Sequence, residues 1–337
     1  MSSPDKGGSR PPGGSSGSSA LDVTAMTRPE VGSHLSGRQY RQAALITMAA
    51  VAIFVIFRNL PTGTNLSHMD FRVQGGNSIE MCDPLNPQFI PVVDVRSPVT
   101  MALTTTAAAQ AGGEVRATFT LRTSSGKAIA PEDLVIAHTK KMHLLIIDPS
   151  LTDYQHVHPD PTATPGEWTF HFTPRLGGTY RIFADFTPVA TGLGLYANTE
   201  LVVQGEGPSA GSLQAARQVS WTYEHEGYQF QLQPAAPVLR ARQAIDLKFS
   251  VNRADGAAVP MEPVMGAYAH LVAFDDGRSG FAHLHPMETD LSRKPDALRP
   301  TLSFKIMIPR AGRYVIWAQV NLGGREEFAP FWFDVIP

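Results

Sequence analysis

The chain has 337 residues, with 28 Lys and Arg against 30 Asp and Glu and a formal net charge of −2. That length leaves room for two domains with appendages, and the charge balance offers no basic stripe for nucleic acid. The one cysteine, Cys82, excludes an intrachain disulfide and a thiolate cluster for zinc or iron–sulfur, while 27 prolines and 29 glycines between short Val, Ile, Phe and Thr runs indicate an all-β protein.

Residues 1–39 are rich in Ser, Gly and Pro and too poor in apolar groups to bury a core, so a disordered cytoplasmic tail is expected. An uninterrupted apolar run follows at 43–57 (AALITMAAVAIFVIF), and Tyr40 and Leu60 can extend it at the membrane interfaces. A single transmembrane segment over 40–60 is expected. A signal-peptide core is the alternative, but Arg58-Asn59-Leu60-Pro61 supplies no small-residue cleavage site, so the segment reads as an uncleaved signal anchor. Arg10, Arg28, Arg38 and Arg41 precede the run, whereas only Arg58 and Arg72 follow closely. The positive-inside rule then puts the N-terminus in the cytoplasm, the anchor in the inner membrane and the bulk of the chain in the periplasm. Residues 61–91, rich in Pro, Asn and Gly, read as a stalk. It carries Cys82, an exposed thiol, a metal ligand or an intermolecular disulfide partner.

Two copies of one module follow, at 92–206 and 215–337. VRATFTLR at 115–122 alternates with period two before the turn SSGK, and IDLKFSV at 245–251 does the same before ADG. The copies match again at GTYRIFAD (178–185) and GRYVIWAQ (312–319). A period of about 120 to 130 residues is a tandem domain duplication rather than a solenoid. Short strands with turn signals every 8 to 12 residues predict two tandem Ig-like or cupredoxin-like β-sandwiches. Tyr180 and Tyr314, at matched positions after glycine, are expected to bond backbone at sandwich corners, and Trp168, Trp317, Phe183 and Tyr314 are expected in cores.

The chemistry sits in a repeated three-histidine pattern. His143 is followed thirteen residues later by His156 and then His158, and His270, His283 and His285 repeat that spacing. Each set reads as a hairpin with a four-residue turn, 149–152 or 276–279. In the first hairpin residues whose numbers sum to 301 then oppose each other, which places His158 opposite His143 and His156 opposite Leu145. Side chains alternate along a strand, so each triad projects from one sheet face. Imidazole suits Cu, Zn and Ni, and without thiolates copper is expected first and zinc second. His138, Met142, His171 and Asp185 are further ligand-type groups near the first triad, although Met142 alternates onto the other face. The second copy has Met265 or Gly266 in place of His138, Gln319 in place of Asp185, and Met287 and Glu288 after its motif. The candidate metal residues are therefore His138, His143, His156, His158, Asp185, His270, His283 and His285, with His138 or Asp185 orienting or completing the first triad.

The stretches from His138 to Ile147, Tyr154 to Pro159 and Gly178 to Phe186 resemble the extracytoplasmic Ig-like domains of the FixH and YtkA-like group and secreted bacterial proteins described as heavy-metal-binding. The likeness implies copper handling or respiratory-oxidase assembly, without catalysis, by a membrane-anchored sandwich. A more distant likeness to copper–zinc superoxide dismutase fails on its disulfide, which one cysteine forbids. The rival reading is an assembly or adhesion module with a membrane or periplasmic protein partner and structural histidines. A copper-dependent enzyme is third; no phosphate-cradling loop or His-Glu-x-x-His is present.

Overall fold

The computed structural model describes residues 36–59, 66–72 and 88–337. Expectations for the tail before Ser36, for Cys82 and for most of residues 61–91 fall outside the described residues. The N-terminal unit contains the helix Gly37–Asn59. Its start carries a capping box: Gln39 N donates to Ser36 Oγ at 3.4 Å and Ser36 N donates to Gln39 Oε1 at 2.7 Å. The 21 residues Gly37–Phe57 have a mean hydropathy of 1.8 and rise about 32 Å at 1.5 Å per residue, enough to cross a hydrocarbon core of ~30 Å.

The rest of the described chain forms two sandwiches. In the first, one sheet orders Val99–Thr105, Val115–Thr123, Glu167–Phe172 and Asp160–Pro161. The other orders Ala109–Gln110, Leu195–Gln204, Gly178–Phe186, Met142–Ile147 and Tyr154–Val157. The second sandwich repeats the plan. One sheet orders Thr222–His225, Tyr228–Pro234, Ala244–Arg253 and Thr301–Met307, and its partner orders Leu239–Arg240, Arg325–Ile336, Gly312–Leu322, His270–Asp275 and Phe281–Leu284. The short helix Ala210–Ala216 joins the copies. The fold is thus two tandem β-sandwiches after one apolar helix, as the sequence predicts.

Each sandwich has its own core. Val115–Thr123 buries alternate residues inward, with Ala117, Phe119 and Leu121 packed against Trp168, Phe170 and Tyr180. Phe230, Phe249, Phe304, Tyr314 and Phe331 do the same in the second domain. The expected corners are present: Tyr180 Oη lies 3.0 Å from the Leu176 carbonyl and Tyr314 Oη donates to the Arg310 carbonyl at 2.9 Å.

Strict alternation fails in the two histidine hairpins. All six residues of Met142–Ile147 are buried, because the face turned away from the sandwich core meets the other domain. A third core forms there from Leu145, Ile147, Tyr154, Phe183 and Tyr196 of domain one and Val272, Phe274, Phe281, Val315, Trp317 and Trp332 of domain two. Trp317 Nε1 donates to the Leu151 carbonyl across this interface at 3.2 Å. Trp317 and Phe183 are therefore core residues of the interface, while Trp168 and Tyr314 belong to the individual sandwiches. Residues just before domain one strap onto domain two: Ile90 N donates to the Phe281 carbonyl at 2.8 Å, and Phe281 N returns the bond at 3.1 Å.

Candidate metal centre

The register at the first hairpin is Leu144 with Val157 and Leu145 with His156, the pairing the turn length predicts. In the second it is Leu271 with Leu284 and Val272 with His283. Both turns are closed by their first acidic residue. Asp148 Oδ1 accepts from Thr152 N and Asp153 N, both at 2.9 Å, and Asp275 Oδ1 accepts from Ser279 N at 2.6 Å and Gly280 N at 3.2 Å. The third turn residue, Leu151 or Arg278, takes positive φ, 63° and 51°. Identical turns therefore set identical registers, and all six histidines emerge on the faces that meet between the domains.

Each triad converges. His143 Nδ1 lies 3.0 Å from His156 Nε2 and 3.2 Å from His158 Nε2. His270 Nδ1 lies 3.3 Å from His283 Nε2, and His285 supplies the third nitrogen of a set whose ligand atoms all fall within 4.8 Å of one another. The triads adjoin: the His283 ring centroid is 5.4 Å from that of His143 and 5.3 Å from that of His156.

Hydrogen-bond partners fix which nitrogens carry protons. His143 Nε2 lies 3.2 Å from the Ala137 carbonyl and His270 Nε2 lies 3.0 Å from the Val264 carbonyl. A carbonyl only accepts, so both Nε2 atoms donate and both Nδ1 atoms present bare lone pairs. Those carbonyls come from matched tight turns whose two central residues have positive φ, His138 and Thr139 at 49° and 71°, Met265 and Gly266 at 50° and 77°. His156 Nδ1 meets Gln319 Oε1 at 2.8 Å, and Gln319 Nε2 donates to Glu326 Oε2 at 2.7 Å, which orients the amide. His283 Nδ1 meets Asp185 Oδ2 at 3.0 Å. Both Nδ1 atoms donate, so both Nε2 atoms are unprotonated in the neutral rings.

In the neutral state, then, His143 Nδ1 and His156 Nε2 set two lone pairs against each other at 3.0 Å, and His270 Nδ1 and His283 Nε2 do so at 3.3 Å. His285 Nε2 is buried with no hydrogen-bond partner among the described residues. Protons do not readily relieve the repulsion, because burial depresses the affinity of every triad histidine. His158 and His270 are pushed down to about 3, and His143, His156, His283 and His285 are lowered from the ordinary 6.5 by desolvation first and by neighbouring imidazoles. A cation between the nitrogens relieves it directly. Nitrogens bound tetrahedrally at 2.0–2.1 Å sit about 3.3 Å apart, close to the separations here, so the donor set fits a transition-metal ion.

The two extra groups expected beside the first triad serve the second. Asp185 pairs in register with His143 yet accepts a hydrogen bond from His283 of the other domain. His138 stacks on His285 with centroids 3.5 Å apart and 14° between planes. Reciprocally Gln319, a difference from Asp185 in the sequence comparison, holds His156 of domain one. This exchange follows from the face-to-face docking of the two sheets, which a single-domain reading leaves out. His171 lies exposed on Glu167–Phe172, in the other sheet, and Met142 points into the domain-one core. Met287 is 44% exposed, and Glu288 Oε2 accepts from Ser303 N at 2.9 Å. Sequence reasoning missed Gln319, Ala137 and Val264. The matching of positions 185 and 319 opposite the first histidine of each motif was the available signal.

No curated protein matches the sequence. Among solved structures, a DUF4785 family protein from Legionella pneumophila is similar at 10% identity and a TM-score of 0.22, over 70% of this chain and 54% of that one. The alpha-2-macroglobulin of E. coli is similar at 11% identity and a TM-score of 0.22, over 70% of this chain and 17% of that one. The chain thus spans about half the length of the first and about a sixth of the second. At such scores these likenesses carry no argument about fold or function. A family model described as a domain of unknown function, DUF8832, matches twice, over residues 94–201 and 222–336. These two matches coincide with the two sandwiches and cover about two thirds of the sequence, so the chain belongs to the DUF8832 family and carries its domain in tandem.

Proposed function

We propose that the protein is a membrane-anchored, extracytoplasmic binder of transition-metal ions, copper first and zinc second, that serves metal handling or metalloenzyme assembly without turning over a substrate. The observation that supports it most is the convergence of unprotonated imidazole nitrogens, at 3.0 Å in one triad and 3.3 Å in the other, whose opposite nitrogens are committed as donors. His143, His156 and His158 would hold one ion and His270, His283 and His285 another. Copper leads because Cu(II) heads the affinity order for nitrogen sites and because three imidazoles also suit Cu(I). The arginine bias before the apolar helix favours periplasmic sandwiches, and the resemblance to the FixH and YtkA-like group agrees with that placement.

Titration of the full chain in detergent micelles with Cu(II) and with Zn(II) tests the reading. Near-stoichiometric binding is expected, reduced by about one ion in a His156→Ala, His158→Ala variant. Failure of the unaltered chain to retain either ion at micromolar concentration would remove the metal reading and leave the sandwiches as interaction modules with structural histidines.

A further inference from the structure

Resting on that metal reading, we propose that the two triads are unequal sites. The domain-two triad holds a divalent ion more tightly, and Asp185 of domain one sets the difference.

The ligands themselves do not distinguish the sites. Both are three imidazoles on the same hairpin, with the first histidine held by a turn carbonyl six residues upstream. What stands behind the middle histidine differs. The residue opposite the first histidine in register is Asp185 in domain one and Gln319 in domain two, and each reaches across the interface. His283 donates to a carboxylate at 3.0 Å, and His156 donates to an amide oxygen at 2.8 Å. A carboxylate behind a ligating imidazole strengthens its donor nitrogen and adds a full negative charge. An amide contributes only a dipole.

The charge matters because the site is dry. His156, His270 and His283 are all buried, and three neutral imidazoles leave both charges of a divalent ion uncompensated in a medium where such charges are costly. Asp185 cancels one of them beside His283. Its field also reaches His143 and His138, but the hydrogen bond it accepts comes from His283. Glu326 stands behind Gln319, one hydrogen bond further from the ring and exposed to water. The Lys140 ammonium acts on His143 and His158, whereas the matched residue in domain two is Ala267. The carboxylate that accepts from His283 and the absence of a lysine at the matched position both favour the domain-two triad for a doubly charged ion. A monovalent ion needs less compensation, so the preference narrows for Cu(I).

Chelator-competition titrations of the full chain test this, with Zn(II) alone and, under anaerobic reductant, Cu(I) alone. Two Zn(II) events at least tenfold apart in affinity are expected, with a smaller separation for Cu(I). Asp185→Asn should weaken the tighter Zn(II) event about 10- to 100-fold and Cu(I) much less, a difference that loss of structure alone would not produce. Gln319→Glu should tighten the weaker Zn(II) event, giving a gain-of-affinity arm that misfolding cannot mimic. Two equal Zn(II) events, or an Asp185→Asn variant that loses Zn(II) and Cu(I) alike, would overturn the inequality while leaving metal binding intact. If neither ion binds the unaltered chain, the metal reading itself falls.

Discussion

Single residues carry much of the site, and several of them act through backbone rather than side chain. The turn that offers the Ala137 carbonyl to His143 needs two residues at positive φ, and domain one fills it with His138 and Thr139. A β-branched residue at φ 71° is strained, on the order of 1 kcal/mol or more, where domain two uses Gly266 at 77°. Thr139 is exposed, so little packing offsets that cost. Thr139→Gly should therefore raise the stability of the metal-free protein by about 1 kcal/mol, measured as a rise in thermal midpoint, and leave His138 over His285. The histidine identities and their common face were legible in the sequence because motif spacing and turn length fix them. The committed tautomers were not, because the acceptors Ala137 and Val264 contribute carbonyl oxygens, which every residue type possesses.

At the scale of elements, the hairpin registers were readable and the turn chemistry explains why. A four-residue turn closed by an aspartate allows one pairing, and a one-residue slip would send the histidine pair to the opposite face. The sandwich corners were also readable, yet the two differ in what they support. Tyr314 Oη bonds a backbone carbonyl, whereas Tyr180 Oη also lies 2.5 Å from Asp153 Oδ2, a fully buried carboxylate that Arg175 Nε approaches at 2.8 Å. Removing a hydroxyl from a neutral bond costs about 1 kcal/mol, and stripping a donor from a buried charge costs about 2–3 kcal/mol. Tyr180→Phe is therefore expected to destabilise by roughly twice as much as Tyr314→Phe in denaturant melts. Equal losses would show that Arg175 alone satisfies Asp153. No sequence signal separates the corners, since the partner acid lies 27 residues upstream of Tyr180.

At the scale of the molecule, the docking of the domains turns two hairpins into one histidine cluster, and it places buried bases where acid can find them. The sequence did contain a trace of the docking. MHLLII and HLVAF are apolar on both strand faces, the pattern of strands covered on two sides, although it names no partner. The acid response follows from the burial. An unfolded chain protonates its histidines near 6.5. In the folded protein His158 and His270 resist until about 3, and His143, His156, His283 and His285 are lowered by the same desolvation. Between those limits the unfolded state binds more protons, so stability falls as pH falls. Asp185, raised by burial to about 6, acts in the opposite sense below that pH and offsets one imidazole. Three fully buried imidazoles such as His156, His270 and His283 alone correspond to about 4 kcal/mol per pH unit, against a total stability of roughly 5–15 kcal/mol for a domain. The metal-free protein should therefore lose the packing around Trp317 and Trp332 between about pH 6 and pH 4, followed by tryptophan fluorescence. An ion on the unprotonated nitrogens competes with those protons, so zinc- or copper-loaded protein should hold its fluorescence to a lower pH by about one unit or more. A metal-free midpoint below pH 3 would mean that the histidines are protonated in the folded state, and the lone-pair repulsion that argues for a cation would be absent.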